Sequence, residues 1–190
     1  ALSNGQFIIY LQPKYNLQTN TPYGAEALVR WNHPTKGLIS PGLFIPVFEK
    51  NGFIGKLDVY VWETVCRLLR KWIDDGIAPA PISVNMSRAD LYNPSIVDTI
   101  CSLIRKYKLK PELLNLELTE STYMDNPKLM AERIHQLQKL GFCIMMDDFG
   151  SAYSSLNMLK DIQVDYLKID MKFIQGDIRS TRSERVMASV

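Results

Sequence analysis

Five side chains with hard oxygen donors, Glu26, Asn85, Glu117, Asp147 and Asp148, and one amine, Lys168, are the residues of this 190-residue sequence best suited to chemistry. Four are carboxylates and one is an amide, with no histidine or thiolate among them. Such a set suits two ions of Mg²⁺ or Mn²⁺ rather than zinc or copper. Carboxylates crowded into one site repel one another unless cations neutralise them. Two ions sharing an aspartate would clamp the attacking and leaving oxygens of a phosphodiester. Lys168 would add a fixed positive charge or hold the attacking water. Singly, each residue has an ordinary explanation: Asn85 as a turn or cap, Glu117 as part of a polar strand end, Lys168 as a salt bridge to Asp165 or Asp170. The reading rests on their joint placement.

That placement comes from an alternation of strand-like and helix-like segments. Strand runs are expected at Phe7–Pro13, Tyr23–Trp31, Pro81–Ser87, Leu113–Thr119, Phe142–Asp148 and Val164–Asp170. Between them lie helical stretches, one opened by Ser40–Pro41 and others by Asn93–Pro94 and Asn126–Pro127. The longest carries Val61, Trp62, Val65, Leu68, Leu69 and Trp72 as one apolar stripe at helical spacing. Another helix is expected in the SSLNMLKDI stretch, and one more begins at Ser183. Regular alternation favours an α/β fold with a largely parallel sheet. Asn85, Glu117, Asp147, Asp148 and Lys168 fall at or near the C-terminal ends of their strands. A β/α barrel gathers such ends at one mouth, whereas an open sheet spreads them at ~4.8 Å per strand. The barrel is therefore the expected architecture.

Composition narrows the alternatives. With 46% hydrophobic and 22% charged residues, the chain reads as one soluble domain. A net charge of +2 gives no reason to expect duplex nucleic acid or a membrane surface as partner. Cys66, Cys101 and Cys143 lie apart in apolar stretches, which points to buried structural thiols in a cytoplasmic protein. His33 and His135, the two histidines, read as surface or capping residues.

The ordered motifs GAEALVRW around Glu26, SVNMS, LELTES, MMDDFGSAYSSL and DYLKID, with the Gln12-Pro13 pair, resemble an EAL domain, the cyclic di-GMP phosphodiesterase module of bacterial signalling. The resemblance runs from about Phe7 to Val190. It implies a TIM-type (β/α)8 barrel whose first strand is antiparallel, and two-metal hydrolysis of cyclic di-GMP to linear pGpG. Carried over, Glu26, Asn85, Glu117, Asp147 and Asp148 are metal ligands, with Glu26, Asp147 and Lys168 catalytic. Gln12, Leu28, Arg30 and Asp170 contact the dinucleotide. Glu120 anchors the loop after Asp148, through which the family dimerises. Other signalling domains are expected in the parent chain. The alternative reading is a receptor that binds cyclic di-GMP without cleaving it.

Two departures accompany the resemblance. Ala152 stands where the family usually has glycine, and at a positive φ it would cost ~1 kcal/mol or more. The six strand units within residues 1–190 are also fewer than the barrel's eight, so two late units with a further metal-ligating glutamate are expected beyond Val190. On that expectation the 190 residues alone would show little or no turnover.

Overall fold

The computed structural model describes residues 1–150 and 163–171. Ala152, the SSLNMLKDI stretch and the segment from Ser183 lie outside the described residues. Among the described residues, seven strands form one sheet: β1 (Phe7–Asn16), β2 (Thr21–His33), β3 (Gly37–Ile39), β4 (Ile82–Asn85), β5 (Leu114–Thr119), β6 (Ile144–Phe149) and β7 (Tyr166–Ile169). Six of them run in the order β1-β2-β4-β5-β6-β7, and β3 is a short arm on β2. β1 and β2 pair antiparallel, and every later neighbour in that order is parallel. The expected antiparallel first strand is present.

The sheet is curled into a half-barrel. Four strand steps separate β2 from β7, a path of ~19 Å in a flat sheet at ~4.8 Å per step. Yet Lys168 Nζ on β7 lies 2.8 Å from Glu26 Oε2 on β2. Lys14 on β1 likewise reaches Met145 Sδ on β6, 3.4 Å away. Only curvature brings such strands within reach of each other.

Helices cover the convex face: α1 (Pro41–Lys50), α2 (Ile54–Asp74), α3 (Arg88–Tyr92), α4 (Ile96–Lys106), α5 (Glu120–Asp125) and α6 (Pro127–Lys139). In α2, Leu57, Val61, Trp62, Val65 and Leu69 are buried at helical spacing, while Leu68 and Trp72 are only partly covered. Trp62 also donates from its indole Nε1 to the carbonyl of Asn85 at 3.0 Å, so the core helix pins the end of β4. Phe7, Trp31, Phe44 and Phe48 stack edge-on or tilted with centroids 5.3–6.1 Å apart, fixing β1 and β2 to α1.

Some local expectations hold and others are corrected. β3, α3 and α5 are too short to show a period in the sequence. Ser40 occupies the N-cap of α1 before Pro41, but its hydroxyl makes no capping bond. The helix after Asn93–Pro94 starts at Ile96, because Asn93 turns to bond Ser95 instead. Cys66 is buried as expected, but Cys101 and Cys143 are only half-buried. His33 accepts from the backbone N–H groups of Thr35 and Lys36, closing the β2–β3 turn, and His135 is exposed.

Candidate metal and dinucleotide site

The strand period of two places Glu26, Leu28 and Arg30 on one face of β2, with Gln12 of β1 paired opposite Glu26. The parallel register then sets Asn85 of β4 beside Glu117 of β5, and Thr119 beside Asp147 of β6. Between β6 and β7 the register shifts: Met146 pairs with Leu167, but Phe149 pairs with Ile169. One extra residue is thus inserted at Asp147–Asp148, opposite Lys168. Such a bulge lets two successive residues stay on the same side of the ladder. Asp148 carries the strain with φ of 56°, a left-handed conformation that aspartate tolerates better than most residues.

Three of the expected ligands converge. Carboxylate oxygens of Glu26, Glu117 and Asp147 all lie within 4.8 Å of one another. Lys168 Nζ donates to all three, each at 2.8 Å, which uses every proton of the ammonium. Burial alone would lower the pKa of Lys168, but its bonds to Asp147, Glu117 and Glu26 hold it above the usual lysine range. Glu117 is completely buried, and its Oε1 accepts no hydrogen bond. Lys14 Nζ stands 3.5 Å from that oxygen. An orphaned, buried oxygen within a trio of convergent carboxylates fits hard divalent cations.

The other expected residues flank this trio. Asn85 is exposed at the end of β4. Asp148 is exposed too, and its N–H donates to Asp147 Oδ1 at 2.8 Å. Glu120 is buried at the start of α5, where its Oε2 accepts from the Gly150 N–H at 3.0 Å. Asp170 donates its backbone N–H to Phe149, tying the end of β7 to the bulge. Leu28 and Arg30 line a groove of about 470 Å³ together with Leu38, Ser40, Pro41 and Gly42. Arg30 lies over the Tyr10 ring, 5.8 Å from its centroid.

The sequence reading missed the far wall of that groove, because β3 gives no signal of its own. It also missed Lys14, although a lysine two residues after Gln12 in a strand shares its face. A larger cavity of about 680 Å³, bounded by Glu49, Ile54, Arg88, Tyr92 and Thr122, contains none of the expected site residues. Neither Cys66 nor Cys143 is a ready nucleophile: burial pushes their thiols up to about 12 and about 11.

Comparison with known proteins follows the same lines. The family model of the EAL domain matches residues 1–190. The bifunctional diguanylate cyclase/cyclic di-GMP phosphodiesterase MucR of Pseudomonas aeruginosa is 40% identical over 174 residues, 92% of this chain and 25% of MucR. The signalling protein YkoW of Bacillus subtilis is 34% identical over 190 residues, all of this chain and 24% of YkoW. The chain therefore spans about a quarter of the length of each. Among solved structures, the MucR phosphodiesterase in complex with c-di-GMP superposes with a TM-score of 0.89 at 36% identity, covering 100% of this chain and 77% of that one. The EAL enzyme Bd1971, bound to cAMP and cyclic di-GMP, gives 0.86 at 29% identity, covering 98% and 52%.

Proposed function

This chain belongs to the EAL domain family, and we propose on that premise that the protein carrying it hydrolyses cyclic di-GMP to linear pGpG with two Mg²⁺ or Mn²⁺ ions. The observation that carries the reading is the convergence of Glu26, Glu117 and Asp147 oxygens within 4.8 Å beside a lysine. Glu26, Asn85, Glu117, Asp147 and Asp148 are the residues that would hold the ions. Bound divalent ions would supply charge neutralisation for the phosphodiester and a more acidic attacking water.

The chain's own residues do the rest. Lys168 contributes a fixed positive charge and, once ions share its three carboxylate partners, has N–H groups with which to position the attacking water. Arg30 presents a planar fork suited to a phosphate oxygen pair, and Leu28 gives a base or sugar an apolar surface. Gln12, level with Glu26, and Asp170, at the end of β7, complete the contacts with the dinucleotide. Glu120 holds the backbone just after Asp148 through the Gly150 N–H, and so anchors the loop through which two copies pair.

The test is formation of pGpG from cyclic di-GMP by the full-length protein with Mn²⁺, beside its Glu26→Ala variant. The variant's kcat should fall by roughly 10³-fold, the scale of losing a group that acts mainly in the transition state. An unchanged rate would overturn the metal assignment. Metal-independent binding of cyclic di-GMP without turnover by the parent would select the receptor reading instead.

A further inference from the structure

Lys14 lies on the same inward face of β1 as Gln12, opposite Gly24 of β2. Its stem passes over that glycine, and a Cβ at position 24 would stand 2.8 Å from the Pro81 carbonyl and 3.6 Å from Lys14 Cε. The glycine is required by the close Pro81 carbonyl, and the Lys14 stem runs past it at ordinary van der Waals distance. Its Nζ donates to Ser83 Oγ at 2.8 Å and meets Met145 Sδ at 3.4 Å. Ser83 is completely buried and donates in turn to the Ala25 carbonyl at 3.3 Å. The ammonium is thereby held at a defined point, with the lysine side chain 13% exposed.

From that point it faces Glu117 Oε1 at 3.5 Å, while Lys168 bonds Oε2 of the same carboxylate at 2.8 Å. Two lysines divide one buried carboxylate between them. Lys168 also serves Glu26 and Asp147, whereas Glu117 is the only carboxylate that Lys14 pairs with among the described residues. A carboxylate with both oxygens buried and one cation to choose from would rotate towards it. A second cation on the opposite side fixes the rotation.

We propose that Lys14 is a positioning residue for the metal site, its charge beside Oε1 fixing how the Glu117 carboxylate is turned towards the space shared with Glu26 and Asp147. The inference rests on the metal-dependent reading above. It gives the first strand a chemical role besides its contact with the dinucleotide. A partner that fixes the orientation of a metal-ligating side chain typically changes metal affinity by about 10- to 100-fold when removed.

The experiment is Mn²⁺ binding by the full-length protein, followed by the electron paramagnetic resonance of the free ion. Lys14→Met should weaken Mn²⁺ binding about tenfold. In a Glu117→Gln background the same substitution should add little, because Lys14 acts through that carboxylate. Unchanged affinity, or an effect fully additive with Glu117→Gln, overturns the proposal. If Lys14→Met does not fold, Ser83→Ala removes the anchor of Nζ and should weaken binding about threefold, by loss of one neutral-acceptor bond; no change there counts equally against it. If Glu26→Ala and Glu117→Gln also leave Mn²⁺ binding intact, the metal reading itself fails, and the two failures are thus distinguishable.

Discussion

Among the described residues, carboxylates crowd together in two regions, and each region resolves the crowding differently. At the strand ends, Glu26, Glu117 and Asp147 are neutralised by Lys168, with Lys14 behind Glu117. Behind the sheet, Asp58 of α2 faces Asp90 of α3, 8% and 4% exposed, and no ion pair serves either among the described residues. There a proton replaces the cation. Burial, and then the charge of Asp90, push the Asp58 carboxyl up to about 9, so it stays neutral at pH 7. Asp90 accepts from the Ser87 hydroxyl at 2.7 Å and the Ser87 N–H at 2.8 Å. Fixed lysines set cations against the first group of carboxylates. A shared proton keeps a pair structural.

The contrast breaks most visibly at Lys168. Lys168→Met leaves three carboxylates converging without their shared cation and removes the amine proposed to position water. In the full-length protein kcat for pGpG formation should fall by ~10³-fold or more, as followed by separation of substrate and product. A rate within tenfold of the parent would mean that the amine is only a structural counter-ion.

The proton-held pair gives the opposite sign. The Asp58 carboxyl has a folded pKa of about 9 against an ordinary 3.8. A raised pKa means that its contribution to stability is complete below about pH 4 and is lost as pH climbs towards 9. Asp58→Asn keeps a neutral donor in place and removes the unfolded chain's preference for ionising. The variant should therefore gain stability over the parent as pH rises from 5 to 8, by up to ~1.4 kcal/mol per pH unit. Urea unfolding at several pH values measures the gap. A gap that does not widen with pH would place a charge, not a proton, on Asp58.

These two regions were not equally legible in the sequence. The metal-type cluster could be read because its members stand at the ends of strands whose apolar runs are visible, and the strand period then forces Glu26, Leu28 and Arg30 onto one face. Asp147 and Asp148 were harder, since alternation alone would send one of them away. A bulge opposite Lys168 breaks that alternation at the pair, and no residue type announces a bulge. Asp58 gave no signal at all. It sits one position after Leu57 in a helix whose stripe reads as purely apolar, and its partner lies on α3, a five-residue helix too short to show a period. Lys14 was hidden for a different reason, because a lysine in an exposed first strand ordinarily faces water. Only the curl of the sheet turns it inward.

The smallest effect belongs to Ser87, which joins the two regions. It caps α3 with the full reciprocal arrangement: its hydroxyl accepts from the Asp90 N–H, and the Asp90 carboxylate accepts from the Ser87 N–H. It also lies two residues beyond Asn85, whose carbonyl Trp62 holds. Ser87→Ala removes the cap hydroxyl and should cost about 1 kcal/mol of stability, the usual scale for an N-cap serine. The same hydroxyl opposes the rise of the Asp58 pKa, so its loss moves that carboxyl further up. The gap between Asp58→Asn and its parent should therefore widen at high pH in the Ser87→Ala background. If Ser87 instead serves chiefly to place Asn85, the variant would weaken Mn²⁺ binding and leave that pH-dependent gap unchanged. Unfolding and Mn²⁺ titration of the same variant separate the two outcomes.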